Sequence, residues 1–234
     1  MMKPLHLISG GAAQALVGQL QAQFEAATGV SIEASFGAVG LMRDKLLSGA
    51  PCDVVILTEA LITELEQQAH VVHRSAMALG VVRTGIAVKA GQALPDVDSA
   101  AGLSALFRKA SGIYFPDPVK ATAGIHFIKV LKSLGLDQEL AGRLRPFPNG
   151  ATAMREMALA AGEDLVGCTQ VTEILYTHGV QLVGALPKQF ELATVYTAAV
   201  CTRAMQPGAA AELIGMLSNE KTKPLRIAGG FESG

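Results

Sequence analysis

Apolar positions along the chain fall into short continuous runs, separated by longer stretches with helical spacing. Leu5 to Ile8 reads as a strand ending in a glycine pair. Ala12 to Thr28 carries Ala13, Leu16, Val17, Leu20 and Phe24 at helical intervals, and Gly29 stops it. Val30 to Phe36 alternates as a strand, Gly37 to Gly40 turns tightly, and Leu41 to Ser48 is helical. Asp53 to Leu57 is an apolar strand, and Thr58 caps the helix Glu59 to Ala69. Downstream the pattern predicts strands at Gly85–Lys89, Ile113–Phe115, Leu144–Phe147, Leu165–Cys168, Gln181–Ala185 and Thr194–Cys201. Helices are expected at Ser99–Ala110, from Thr122 or Ala123 to Leu134, and at Ala151–Ala161 and Val171–Thr177. The last clear one is Pro207–Leu217. Continuous apolar strands alternating with amphipathic helices imply α/β architecture with a parallel sheet covered on both faces.

Composition narrows the function. The chain has 234 residues, half of them hydrophobic, which suffices for a sizeable core in one large domain or two small lobes. Lys and Arg number 19 against 20 Asp and Glu, a net charge of -1, so no basic surface for nucleic acid or a polybasic membrane contact exists. Cys52, Cys168 and Cys201 show no zinc-site spacing and read as buried thiols. His6, His70, His73, His126 and His178 lack metal spacing too, so neither metal nor cofactor is called for. No stretch reaches the roughly 18 apolar residues of a membrane span. The apolar run after Met1-Met2-Lys3-Pro4 is too short for a signal peptide. The expected place is therefore the cytoplasm, or the periplasm if a leader has been removed.

Chemistry is expected where strands hand over to helices, because ligands of open parallel sheets bind at carboxyl ends of strands against helix N-termini. Four such joints are rich in small residues: Ser9-Gly10-Gly11, Gly37-Ala38-Val39, Lys120-Ala121-Thr122-Ala123 and Asn149-Gly150. They lack the glycine fingerprints of dinucleotide and mononucleotide sites and the nucleophile elbow of hydrolases.

Ser35-Phe36-Gly37-Ala38-Val39-Gly40 and Gly49-Ala50-Pro51-Cys52-Asp53-Val54, with Thr28-Gly29-Val30 upstream, resemble the substrate-binding proteins of molybdate ABC transporters. Arg83-Thr84-Gly85, Asp117-Pro118 with Ala123-Gly124, and Gly167 to Gln170 fit the same pattern in order. The resemblance implies a two-lobed type II periplasmic-binding-protein fold, each lobe a mixed, mostly parallel sheet flanked by helices. Residues 1–82 plus 194–234 would form one lobe and the inserted 83–193 the other, with a ligand cleft between them. The crossings are expected around Ala78–Gly85 and Phe190–Tyr196.

The family holds its oxyanion with hydroxyls at the first two joints and a tyrosine at the last. Here Gly11 or Gly10, Ala38 and Gln170 stand at those positions. Each hydroxyl lost from a desolvated site costs about 1–3 kcal/mol, which turns the expectation from molybdate to another small anion, a carboxylate. Arg43, Arg83 and Lys120 are candidate cations for clamping it. The expected ligand set is Ser9, Gly10, Gly11, Gly37, Ala38, Val39, Arg43, Arg83, Lys120, Thr122, Ala123, Asn149, Gly150 and Gln170. The resemblance implies a small-anion binding protein, with an ABC transporter as partner if exported. Some proteins similar to the family are isomerases of an unsaturated tricarboxylate such as aconitate. For that alternative the proton-transfer candidates are Lys120, His126 and Thr122.

Overall fold

A computed structural model describes residues 3–233. Met1 and Met2, on which the localisation reading partly rests, lie outside them, as does Gly234. The chain divides into two compact units: one runs up to Val82 and resumes at Thr194, and the other is Arg83–Ala193.

In the first unit the strands β1 (Leu5–Gly10), β2 (Ile32–Gly37) and β3 (Val54–Thr58) are joined by helices α1 (Gln14–Thr28) and α2 (Val39–Leu47). β1 lies between β2 and β3, parallel to both, with Leu5 opposite Ile32 and Leu7 opposite Val54. Helix α3 (Glu59–Gln67) follows, and its first turn is closed by Thr58, which accepts from the N–H of Leu61 at 3.4 Å. β9 (Ala193–Val200) adds to β3 in the antiparallel sense, Val54 opposite Val200. Helices α8 (Pro207–Ser218) and α9 (Lys223–Ala228) complete the unit. Its core joins Leu5, Leu7 and Val54–Leu57 of the sheet to Phe24 of α1 and Leu213 of α8.

The second unit is built on β4 (Met77–Lys89), which starts in the first unit, β5 (Gly112–Pro116), β6 (Leu144–Phe147), β7 (Leu165–Gln170) and β8 (Val180–Ala185). β5 is parallel to β6 and β7, whereas β4 is antiparallel to β7 and β8. Helices α4 (Ala100–Lys109), α5 (Thr122–Ser133), α6 (Gly150–Leu159) and α7 (Val171–Tyr176) connect the strands. Phe107 of α4, Phe115 of β5 and Phe127 of α5 interlock, with ring centroids 5.5 Å apart for Phe107–Phe127 and 5.1 Å for Phe115–Phe127. Each such buried ring contributes about 1.5–3 kcal/mol.

The sheets are mixed and mostly parallel, as the resemblance implied, and the strands that run antiparallel to their neighbours, β4 and β9, are those that carry the chain between units. A strand arriving that way is not bound by the parallel, right-handed β–helix–β rule. β4 begins at Met77 rather than Gly85, since Val81 exchanges backbone hydrogen bonds of 2.9 and 2.7 Å with Glu232, far away in sequence. α9 follows α8 although its Lys-Pro-Leu-Arg-Ile-Ala stretch shows little periodicity. Arg226 holds it by donating to the carbonyls of Leu217 and Asn219, both at 2.9 Å.

Candidate functional site

In the first unit the parallel register sets Gly10 opposite Gly37, so the joints after β1 and β2 lie side by side. Ser9 is buried at the end of β1, and its hydroxyl donates to the Gly10 carbonyl at 2.8 Å. That hydroxyl proton is therefore committed to the backbone. Gly11 opens a 3₁₀ turn, Gly11–Ala13, that leads into α1, and neither the turn nor α1 has a side-chain cap. Ala38 is the residue before α2, and that helix is uncapped too. Uncapped first turns present N–H donors and a partial positive charge of the kind that suits an anion. In α4 and α3 such turns are closed: Ser99 accepts from the Gly102 N–H at 3.0 Å, much as Thr58 serves α3, whereas the N-cap residues of α7, α8 and α9 provide no side-chain cap either. Arg43 stands one turn into α2, half-buried, and its guanidinium is held by Asp44 at 2.9 Å.

In the second unit, pairing of Gly112–Tyr114 with Leu165–Gly167 brings the ends of β5 and β7 to one edge. Pro116 opposite Phe147 brings the end of β6 there as well. The joint after β5 is folded around Asp117, whose carboxylate accepts from the N–H groups of Val119 at 2.7 Å and Lys120 at 2.8 Å. Lys120 is half-buried, with its backbone donor used in this way. Helix α5 starts at half-buried Thr122, and Ala121 before it provides no side-chain cap. Ala123 and Gly124 in the first turn are buried. Gly124 permits no side chain, because a Cβ there would overlap the carbonyl oxygens of Pro116 and Asp117.

The joint after β6 behaves differently from the sequence expectation. Asn149 caps α6 by accepting from Thr152 N–H at 2.8 Å. The buried carboxyl of Glu173 takes hydrogen bonds from the backbone N–H groups of Ala151, Gln170 and Gly150, and from the Thr169 hydroxyl at 2.6 Å. An internal carboxyl thus already takes the Gly150 N–H that was expected to serve a ligand, and the Asn149 side-chain oxygen is spent on its own helix. Gly150 is glycine because a Cβ would overlap Thr169 Oγ1 and Glu173 Oε2. Burial pushes the Glu173 carboxyl above its ordinary range, against the pull of these donors. Sequence reasoning passed Glu173 over. The signal was its place three residues after Gln170, the helix-cap residue of α7, which is the spacing of a reciprocal capping box.

Gln170 ends β7 with only 3% of its surface exposed, and neither its amide nitrogen nor its amide oxygen has a hydrogen-bond partner. Thr84 of β4, also buried with an unpartnered hydroxyl, is its register partner across the sheet. Thr172, two residues into α7, is in the same condition. Buried polar atoms are nearly always paired, which sets these three side chains apart, together with Thr194 and Thr197, whose buried hydroxyls are also unpartnered. Thr172 carried no sequence signal, and Thr84 only its place in the Arg83-Thr84-Gly85 run, which did not mark its side chain as polar and unpartnered.

Two other candidates have partners within the second unit. Arg83 forms an ion pair with Glu191. His126 Nε2 lies 2.7 Å from the Phe190 carbonyl oxygen, so Nε2 carries the ring proton and donates it there. Among the described residues no group of three or more His, Cys, Asp or Glu could hold a metal ion. None of the described helices is long and apolar enough to cross a membrane.

Residues 5–232 match the family described as bacterial extracellular solute-binding protein. The chain belongs to that family. Within it the fold is the type II periplasmic-binding-protein fold. The periplasmic molybdate-binding protein of Azotobacter vinelandii superimposes with a TM-score of 0.81 at 19% identity, over 98% of this chain and 99% of that one. The sulfate-binding protein SubI of Mycobacterium tuberculosis gives 0.71 at 17% identity, over 99% and 87%. A curated aconitate isomerase from a Pseudomonas species is 24% identical over 222 residues, 92% of this chain and 82% of that protein.

Proposed function

We propose that this solute-binding protein takes a small anion of the carboxylate class. Each unit offers a set of binding groups of its own: the uncapped first turns at Gly11 and at Ala38–Val39 in the first, and Thr122–Ala123, Gln170 and Thr84 in the second. The observation that carries the reading is the Gln170 amide, buried with both atoms unpartnered. A carboxylate oxygen would accept from its Nε2, and a hydroxyl or protonated carboxyl would donate to its Oε1. A fully deprotonated tetrahedral oxyanion, like a carboxylate with no further polar group, offers acceptors alone and would leave Oε1 orphaned, so the fit is to a carboxylate ligand that also carries a hydroxyl or a protonated carboxyl. Arg43, steadied by Asp44, and Lys120 add positive charge to the two donor sets. Solved relatives that bind molybdate and sulfate support the anion class.

Titration calorimetry with molybdate, tungstate, sulfate, citrate and the two aconitates tests this. Binding of a carboxylate in preference to the inorganic anions is the expected result. Tighter binding of molybdate would overturn the carboxylate assignment, and no heat with any of them would sink anion binding itself.

A second reading rests on the aconitate isomerase relative. Interconverting trans- and cis-aconitate moves one allylic proton, which requires a single acid–base group beside groups that hold the carboxylates. Lys120, Thr122 and His126, whose Nε2 donates to Phe190 and so leaves Nδ1 as its basic nitrogen, are the candidates. Proton NMR of trans-aconitate incubated with the protein decides it: appearance of the cis isomer makes the protein an isomerase, and binding without turnover leaves it a receptor.

A further inference from the structure

Two of the three cysteines, 149 positions apart in sequence, meet in the first unit. Cys201 Sγ lies 3.3 Å from Cys52 Sγ and donates to it, while the Cys52 thiol lies 3.2 Å from the Val54 carbonyl oxygen. The backbone under them is fixed. The β3–β9 ladder continues past Val54 and Val200 to a 2.9 Å bond from Cys201 N–H to the Asp53 carbonyl. Asp53 in turn is anchored by its carboxylate, which accepts from the N–H groups of His6, Met205 and Gln206 at 2.8, 2.6 and 2.9 Å. The sulfurs are 7% and 2% exposed as residues, yet both line a cavity of about 280 Å³ together with His6, Pro51, His70 and Met205. That cavity gives reagents a path to the pair. Cys168, in the second unit, is buried with no sulfur neighbour of this kind.

We propose that Cys52 and Cys201 are a redox-active dithiol, which closes to an intramolecular disulfide by exchange with a small disulfide such as oxidised glutathione. The Cys52 thiolate attacks one glutathione sulfur, forming a mixed disulfide and releasing one glutathione thiolate. Cys201 then gives its proton to solvent and attacks Cys52 Sγ, expelling the second glutathione thiolate. Two protein thiols are oxidised and one external disulfide is reduced to two thiols, whose protons balance those released. The sulfurs have to approach by only about 1.2 Å to reach bonding distance, a shift within reach of side-chain rotation on a fixed backbone. The Cys52 contact and burial hold Cys201 as a thiol, so the pair stays reduced until an external disulfide arrives, and the resolving step is slow. The covalent link joins the segment before β3 to the end of β9 and encloses the entire second unit in its loop.

The test uses the whole protein, reduced and then equilibrated with excess oxidised glutathione. Thiols titrated in denaturant should fall from three to one, and non-reducing peptide mapping should join Cys52 to Cys201. The midpoint of thermal unfolding should rise by roughly 5–15 °C and return on adding dithiothreitol. C52S and C201S should each lose that rise, and C168S should keep it. Three surviving thiols, glutathione retained on Cys52, or a bridge involving Cys168 would each overturn the proposal. Thiol count and peptide map come from the unmutated chain, so a variant that fails to fold does not blur the outcome. The outcome is independent of which anion the protein binds.

Discussion

A side-chain amide shut away from water with neither atom bonded costs free energy in the empty protein, and Gln170 carries two such atoms. The cost is tolerable if a ligand repays it on binding. Replacing Gln170 with Leu removes the orphaned atoms while keeping the volume. The expected outcome is an affinity loss of about 10- to 100-fold, with the unfolding midpoint of the ligand-free protein unchanged or raised. Calorimetry alongside thermal unfolding checks both halves, and undiminished affinity would remove Gln170 from the site. From the sequence Gln170 was visible as the residue standing where the related family has a tyrosine. Its pairing with Thr84 was not, because the neighbourhood arises from an antiparallel pairing of β4 with β7 that no local pattern encodes.

At the scale of elements, buried carboxylates act as fasteners. Asp53 of the Gly-Ala-Pro-Cys-Asp-Val block is 1% exposed and receives N–H groups from β1 and from the segment that leads into α8. Asp53→Ala would leave three donors unpaired and cost about 2–4 kcal/mol, read as a lower urea midpoint. The block was legible as a motif, but its job of joining three distant segments was not. Glu173 fastens α6 to α7, and its carboxyl is raised by burial. A raised carboxyl means that the folded state binds the proton more strongly than the unfolded chain does. Its contribution is therefore complete below about pH 4.5, the usual carboxyl value, and declines as the pH rises through the folded pKa. Stability of Glu173→Gln, measured by denaturant unfolding from pH 4 to pH 8, should lack that decline. A variant with the same pH profile as the parent would count against the raised pKa. Helix caps divide in the same way. Thr58 and Ser99 were the expected kind of N-cap residue, while the lack of a cap on α1, α2 and α5 becomes informative only once their positions at strand ends are known.

For the whole molecule, the sequence by itself determined the order of strands and helices and the family. Apolar runs and helical spacing are local properties of the chain, and motifs such as Gly-Ala-Pro-x-Asp-Val are contiguous. Tertiary structure alone decided which strands run antiparallel, which helix starts stay open and which are closed from within. It also brought two thiols 149 positions apart to 3.3 Å. It showed that the fourth joint is filled by Glu173, and that Arg83 and His126 are engaged with Glu191 and Phe190. The reason is physical. A side chain's chemistry is written in its type, but its availability depends on which partners reach it, and partners brought in by sheet register and by the return of β9 leave no mark on the residues beside it in sequence.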